Sequence, residues 1–257
     1  MIELIDDALK IRKRKYIEVW DSRYSILGDI HGDIESLERI LKLAYRPAIF
    51  LGDYGDRGER QIEVYERILK GYIDGEFILL RGNHETTSAF PHDLPYRLRR
   101  FDNWEDVYEE LKKFWENLPW FALVGGSVFA AHGGIYTKGC RIVEEGINLR
   151  ELMHDEAFLE MIWNDPWEKE GCDYNFERGT GYFFGKKATK KFLDDLGLKV
   201  VVRGHQPYKV LKAEQNGMVV TVGSTGVYGT NYAFLNVDGD IENGFQIVGR
   251  YGRILTP

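Results

Sequence analysis

Three short apolar runs that each end in a glycine-bearing polar stretch constrain this chain most. Tyr24 to Leu27 (YSIL) leads into Gly28 to Gly32 (GDIHG), Ala48 to Leu51 (AIFL) into Gly52 to Gly58 (GDYGDRG), and Phe77 to Leu80 (FILL) into Arg81 to Glu85 (RGNHE). Short β-branched or aromatic runs stopped by glycine predict buried strands with polar residues at their ends. Between them, Ile34, Leu37, Ile40 and Leu41, then Ile62, Tyr65, Ile68 and Leu69, recur at the spacing of amphipathic helices. A strand-helix-strand-helix-strand unit has parallel strands and right-handed crossovers. The carboxyl ends of all three strands therefore share one sheet edge, the edge at which open α/β sheets bind ligands. Asp29, His31, Asp53, Asp56, Arg57, Asn83 and His84 are predicted to meet there.

The rest of the chain predicts a second sheet, packed edge-to-edge or face-to-face with the first. Residues 2 to 15 look helical, with Arg12, Lys13, Arg14 and Lys15 as a solvated helix end. The Pro-broken stretch from Phe90 to Trp104 predicts a surface loop, followed by a helix from Asn103 to Asn117. WFALVG and SVFAAHGG form a predicted hairpin that ends at His132. Lys186 to Leu196 predicts a helix stopped by Gly197, and KVVV then leads to RGHQ (Arg203 to Gln206), which repeats the grammar of the opening. The tail (YKVLKA, MVVTV, NYAFLNV, FQIVGRY) reads as an antiparallel meander carrying a Gly-rich loop from Gly223 to Gly229.

Composition narrows the class. With 257 residues, 44% hydrophobic and 29% charged, the chain is expected to be one globular domain spanning 1–257. A net charge of −7 offers no overall pull toward nucleic acid or an anionic membrane. No apolar run reaches membrane-spanning length, and acidic residues stand where a signal peptide would be apolar, so a cytoplasmic location is expected. Cys140 and Cys172 have no metal-type spacing and are read as free thiols in a reducing compartment. Gln is sparse beside Glu and Lys, a bias of heat-adapted proteins. His92 and His154 are read as surface or packing residues, and Trp115, Trp120, Trp163 and Trp167 as core or rim aromatics, with Trp167 a candidate cleft wall.

Asp29, His31, Asp53, Asn83, His132 and His205 each stand just beyond an apolar run, framed by glycines that let the backbone approach an ion closely. Carboxylate, imidazole and amide oxygens are the donors of hard or borderline divalent metals. Two such ions about 3.5 to 4 Å apart clamp both oxygens of a phosphoryl displacement.

In order and spacing, GDIHG, GDYGDRG, LLRGNHE, HGG and RGHQ resemble the signatures of the phosphoprotein phosphatase family of metallophosphoesterases. WNDP (Trp163 to Pro166) and ERGTGYFFG (Glu177 to Gly185) look like two further stretches of that family. The resemblance implies an α/β fold of the calcineurin-like metallophosphoesterase type: two mixed β-sheets packed as a central sandwich flanked by helices, with the active site at strand carboxyl ends. It implies two divalent ions, manganese first with iron or zinc as alternatives. Asp29, His31 and Asp53 would hold one, and the bridging Asp53 with Asn83, His132 and His205 the other. His84, paired with Asp56, would protonate the leaving alkoxide, while Arg57 and Arg178 grip the phosphate and Tyr228 contacts substrate. The implied activity is direct hydrolysis of phosphoserine and phosphothreonine in proteins, with phosphotyrosine also considered, by a water that the two ions activate. A dinucleoside polyphosphate hydrolase resembling diadenosine tetraphosphatases is the alternative, and a phosphoprotein-binding module without turnover is the reading from another class. Phosphoproteins are the expected partners, with no nucleic acid and no membrane. The chain stops soon after the last predicted strand, so no regulatory-subunit extension is expected. Two departures stand out: GSTGVYGTNY (Gly223 to Tyr232) replaces the family's loop over the active site, and Gly55 replaces its usual Val.

Overall fold

The structure is a computed structural model describing residues 1–257. It opens with α1 (Ile2–Leu9) and β1 (Tyr16–Val19). The helix expected over residues 2–15 stops at Leu9 because its apolar stripe stops there. The basic run beyond it has nothing to bury, and the chain is drawn into β1, where Trp120 N–H donates to the Lys15 carbonyl at 2.8 Å.

The predicted opening unit follows: β2 (Arg23–Leu27), α2 (Ile34–Leu41), β3 (Ala48–Phe50), α3 (Gln61–Ile73) and β4 (Phe77–Leu79). Ser36 N–H donates to the Asp33 carboxylate at 2.9 Å, which caps α2. β2, β3 and β4 are parallel and in consecutive order. The expected loop after Glu85 contains one short helix, α4 (Leu94–Leu98), entered at Pro95, before α5 (Trp104–Asn117). The hairpin is β5 (Phe121–Val124) and β6 (Val128–Ala131), and α6 (Ile142–Glu145) and α7 (Asp155–Trp163) follow. A small sheet combines β7 (Asp165–Pro166), β8 (Asp173–Tyr174) and β9 (Tyr182–Phe184). α8 (Lys186–Leu196) ends at Gly197, whose φ of +66° closes the helix in the left-handed region.

The tail differs from a single meander. β10 (Val200–Arg203) pairs parallel with β12 (Val219–Val222), and β11 (Leu211–Glu214) closes that edge antiparallel. β13 (Tyr232–Asp238) then crosses to the other sheet and lies antiparallel to β2. The expected strand FQIVGRY is a turn of helix, α9 (Gly244–Gln246), continued as a wider coil over Ile247–Tyr251 before β14 (Gly252–Leu255). Ile247 and Tyr251, four apart, both enter the core, which is a helical spacing and not an alternating one.

Two sheets result, ordered β14-β13-β2-β3-β4 and β1-β5-β6-β10-β12-β11. They pack face to face: Ile26, Ile49, Leu51 and Leu235 from one sheet meet Val124, Ala130, Val202 and Val222 from the other in one apolar layer. Outside, α1, α2, α3 and α5 cover the first sheet through residues such as Ile5, Leu37, Ile68 and Trp115. On the second sheet, α7 and α8 bury Met161 and Phe192. No helix is long and apolar enough to cross a membrane.

One sequence reading is overturned outright. Cys140 and Cys172 are disulfide-bonded, with Cα atoms 5.4 Å apart, and no free cysteine remains. The bond ties the turn after β6 to the approach of β8, a proximity that a separation of 32 residues gave no sign of.

Candidate active site

Each predicted ligand stands at or just past a strand end on the shared rim of the two sheets. Asp29, Asp53 and Asn83 follow β2, β3 and β4, while His132 follows β6 and His205 follows β10. Turning the chain at these ends requires unusual backbone. His31, Asp53, Asp56, Arg57 and His205 have φ of +48°, +58°, +61°, +71° and +65°, a left-handed conformation that side-chain-bearing residues seldom adopt. Gly82 shows why glycines frame the ligands: a Cβ there would lie 2.3 Å from Asp53 Oδ1.

Near the Asp29 end, His31 Nε2 lies 3.8 Å from Asp29 Oδ2 and 3.6 Å from Asp53 Oδ2. His31 Nδ1 faces the Gly55 carbonyl at 2.9 Å, so the proton sits on Nδ1 and the Nε2 lone pair is turned to the carboxylates. Asp29 Oδ2 is buried with no hydrogen-bond partner. Three lone-pair donors facing one point suit a cation bound about 2.0 to 2.2 Å from each.

The other end repeats the logic. His132 Nδ1 faces the Leu51 carbonyl at 3.0 Å, which again leaves Nε2 as the lone-pair atom. Around it stand Asn83 Oδ1 at 2.8 Å, His205 Nδ1 at 3.0 Å and Asp53 Oδ2 at 3.3 Å. Acceptors crowd one another this closely only where positive charge is meant to lie between them. The electrostatics agree. Burial opposes a proton on His132, yet the charges of Asp53, Asp29 and Glu85 raise its pKa, so the cluster favours a cation. Burial also opposes ionisation of Asp53, but His132, His84 and His31 hold its carboxyl well below the usual range. The donor set fits two divalent ions sharing Asp53.

His84 is buried beside this cluster, and its Nδ1–H donates to Asp56 Oδ2 at 2.5 Å. Burial works against its protonation, but Asp53 and the Asp56 bond outweigh burial and raise the pKa. Arg57 donates to the Pro91 and Phe90 carbonyls at 3.0 and 3.4 Å. Arg178 is held bidentately by Asp165 and donates to the His205 carbonyl at 3.1 Å. A cavity of about 130 Å³ is lined by Asp29, His31, Asp53, Asn83, His205, His84, Arg57, Arg178 and the half-exposed Tyr228. Asp56 and His132 stand directly behind this lining.

Sequence reasoning missed three contributors. His92, read as a surface or packing residue, donates from Nδ1 to Asp56 Oδ2 at 2.8 Å; it lies in a stretch without periodicity, where spacing carries no signal. Glu85 accepts from the N–H groups of Asp53, Tyr54 and Gly82 at 2.7, 3.0 and 3.1 Å, which clamps the loop that carries Asp53, and burial pushes its carboxyl up to about 7. Asp165 anchors Arg178 and the fully buried Arg203. Trp163, and not Trp167, forms the cleft wall; Trp167 stacks on Phe183 outside the cavity, with ring centroids 5.0 Å apart. His154 is exposed as expected.

A sandwich of mixed sheets with carboxylate, imidazole and amide donors converging on its rim defines a metallophosphoesterase. A family model described as calcineurin-like phosphoesterase matches residues 23–209, and the chain belongs to that family. It is 32% identical over 197 residues to the serine/threonine-protein phosphatase PP2A-like PPG1 of Candida albicans, covering 72% of this chain and 47% of that protein. It is 29% identical to the serine/threonine-protein phosphatase 4 catalytic subunit of Eremothecium gossypii, covering 88% of this chain and 77% of that one. The chain thus spans about half the length of the Candida relative. Its fold matches a solved serine/threonine phosphatase from Saccharomyces cerevisiae with similarity to human phosphatase PP5. The TM-score is 0.80 at 23% identity, over 100% of this chain and 87% of that one.

Proposed function

We propose that this chain is a metal-dependent protein phosphatase that hydrolyses phosphoserine and phosphothreonine monoesters, with phosphotyrosine as a secondary substrate. The observation that carries the reading is the convergence of five ligand-type side chains, with His132 directly behind them, and two anchored arginines on one cavity of about 130 Å³.

Asp29, His31 and Asp53 would hold one ion, and Asp53, Asn83, His132 and His205 the other, with manganese the first choice and iron or zinc the alternatives. Two such ions supply a water nucleophile at neutral pH and offset charge on the phosphoryl oxygens. The chain's own residues do the rest. Arg57 and Arg178 enter the cavity already tethered, so their guanidinium groups need little ordering to receive two phosphate oxygens. His84 keeps Nδ1–H on Asp56, which leaves Nε2 to carry the proton given to the departing alkoxide, a poor leaving group without it. Tyr228, placed edge-on to His31 at a centroid distance of 6.2 Å, closes the side of the cavity where the loop departs from the family pattern.

A wider cleft of about 670 Å³ adjoins the cavity past Phe90, Trp163 and Arg178 and runs to Leu159 and Glu177, giving a polypeptide leaving group room to lie. The second reading, a dinucleoside polyphosphate hydrolase, draws on the same cleft, since Phe90 and Trp163 offer faces on which a base would stack. A phosphopeptide and a dinucleoside polyphosphate assayed side by side with manganese separate the two. A higher kcat/KM for the phosphopeptide is expected, and a strong preference for the nucleotide overturns the leading reading. Failure to hydrolyse even an aryl phosphate with manganese, cobalt or nickel would overturn the assignment as an enzyme.

A further inference from the structure

Asp56 is a buried carboxylate with four donors on it. Its Oδ1 accepts from the N–H groups of Asp93 and Leu94 at 2.8 and 3.0 Å, and its Oδ2 accepts from two imidazoles, His84 Nδ1 at 2.5 Å and His92 Nδ1 at 2.8 Å. A carboxylate only accepts, so both rings carry a proton on Nδ1. For His92 the tautomer is held from its other side as well: Nε2 lies 2.8 Å from the Tyr108 hydroxyl, which donates to it. Tyr108 belongs to α5, and Trp115 of the same helix packs edge-on against the His92 ring at a centroid distance of 6.2 Å. The second imidazole is thus braced against a rigid helix.

We propose that His92 is a positioning residue for protonation of the leaving group, holding Asp56 Oδ2 so that His84 presents Nε2 to the departing oxygen. The inference rests on the phosphatase reading above and adds to it a residue that touches neither phosphate nor ligand cluster. Oδ1 is seated by backbone, which sets the carboxylate plane, but two N–H groups on one oxygen leave the other free to tilt. With His84 alone on Oδ2, the carboxylate would follow whichever way His84 turned. A second donor from a braced ring fixes the direction from which His84 is held, and the acid arrives at the substrate already oriented. It also keeps both Oδ2 lone pairs engaged, so Asp56 stays an acceptor and the proton remains on the histidine side of the bond.

The competing account is that His92 only pins the 90–98 segment to Asp56. The two accounts differ in which substrates they slow. An aryl phosphate expels a stable phenolate and needs little acid, whereas an alkyl phosphate needs much. His92→Phe keeps an aromatic ring against Trp115 and Tyr108 but has no donor, and His92→Asn puts an amide N–H near the place of Nδ1. For His92→Phe, kcat on a serine-type alkyl phosphate is expected to fall about tenfold, a part of the 10²–10⁴ that a general acid supplies, while an aryl phosphate slows less than about threefold. KM, inhibition by inorganic phosphate and bound metal should stay at wild-type levels, and His92→Asn should recover most of the alkyl rate. The alkyl-to-aryl ratio is independent of how much of a variant folds, so reduced stability does not blur the result. Equal slowing of both substrates, or a His92→Asn variant as slow as His92→Phe, overturns the inference while leaving the phosphatase reading standing. A wild-type protein inactive on both substrates overturns that reading, and the inference with it.

Discussion

Breaking the Cys140–Cys172 bond tests how far the second half of the site depends on a covalent tie. The bond closes a loop between residues 32 apart, and loop-closure entropy for that length amounts to about 3.7 kcal/mol at 25 °C. In a chain of this size each kcal/mol moves the melting temperature by roughly 2–4 °C, so the Cys140→Ser/Cys172→Ser variant should melt roughly 7–15 °C lower. Calorimetry of the variant, and of wild type with and without dithiothreitol, measures it. Function should respond unequally. Cys172 directly precedes β8, and the turn between β8 and β9 carries Arg178, while His132 and His205 follow β6 and β10. Loosening that hairpin should raise KM for phosphorylated substrates and leave metal content unchanged. Two titratable thiols in the unreduced, denatured protein, or a melting temperature that moves by less than about 2 °C, would refute the reasoning.

Replacing Asp165 by Ala leaves Arg203, which is fully buried, without its carboxylate at 2.8 Å and frees Arg178. Denaturant unfolding should show a loss of about 3–5 kcal/mol, and KM should rise with it; a loss under 1 kcal/mol would contradict the role given to Asp165. Asn83→Ala or His205→Ala should lower bound metal from two ions to one and remove most activity, and full metal content by elemental analysis would contradict the ligand assignment. Asp56 gives an acid dependence. Burial pushes its carboxyl up, but its bonds to His84 and His92 outweigh burial and hold it well below the usual range. A folded-state pKa below the unfolded one stabilises above the ordinary carboxylate pKa of about 3.9 and is lost as pH falls below it. Stability should therefore drop less steeply below about pH 4 in Asp56→Asn than in wild type, and parallel unfolding curves across that range would remove Asp56 as a source.

What the sequence made legible follows from where the information lies. β2, β3 and β4, with the helices between them, were readable because burial on both faces makes each strand a continuous apolar run, and each run stops where the backbone turns toward the rim. His132 and His205 shared that placement and could be grouped with them. The illegible parts depend on contacts between distant segments. His92 and Asp56 are 36 residues apart and joined only through the tertiary fold. The crossing of β13 to the first sheet is set by its pairing with β2, which its own alternation does not reveal. Ile247 and Tyr251 misled because a short apolar-rich stretch reads equally as strand or helix until the direction of the core is known.

The site also explains why two sheets meet at this rim in one register. Several bonds across the rim use a site residue or its immediate neighbour. Gly28 N–H donates to Ser224 Oγ at 2.8 Å, and His205 N–H donates to Asp29 Oδ1 at 2.7 Å. His132 Nδ1 reaches the Leu51 carbonyl at 3.0 Å, and Asp29 forms a parallel bridge with Gly223. The apolar layer between the sheets is non-directional and would tolerate small slips of one sheet over the other. The directional bonds at the rim do not, because a slip of one residue would carry His205 away from Asp29 and His132 away from Leu51 together. The groups that set the sheet register thus include those that aim the candidate ligand atoms. The left-handed backbone at His205 is held from across the rim, through its N–H on Asp29, whereas His31 and Asp53 are held within the first sheet, by the Gly55 carbonyl and the Glu85 carboxylate.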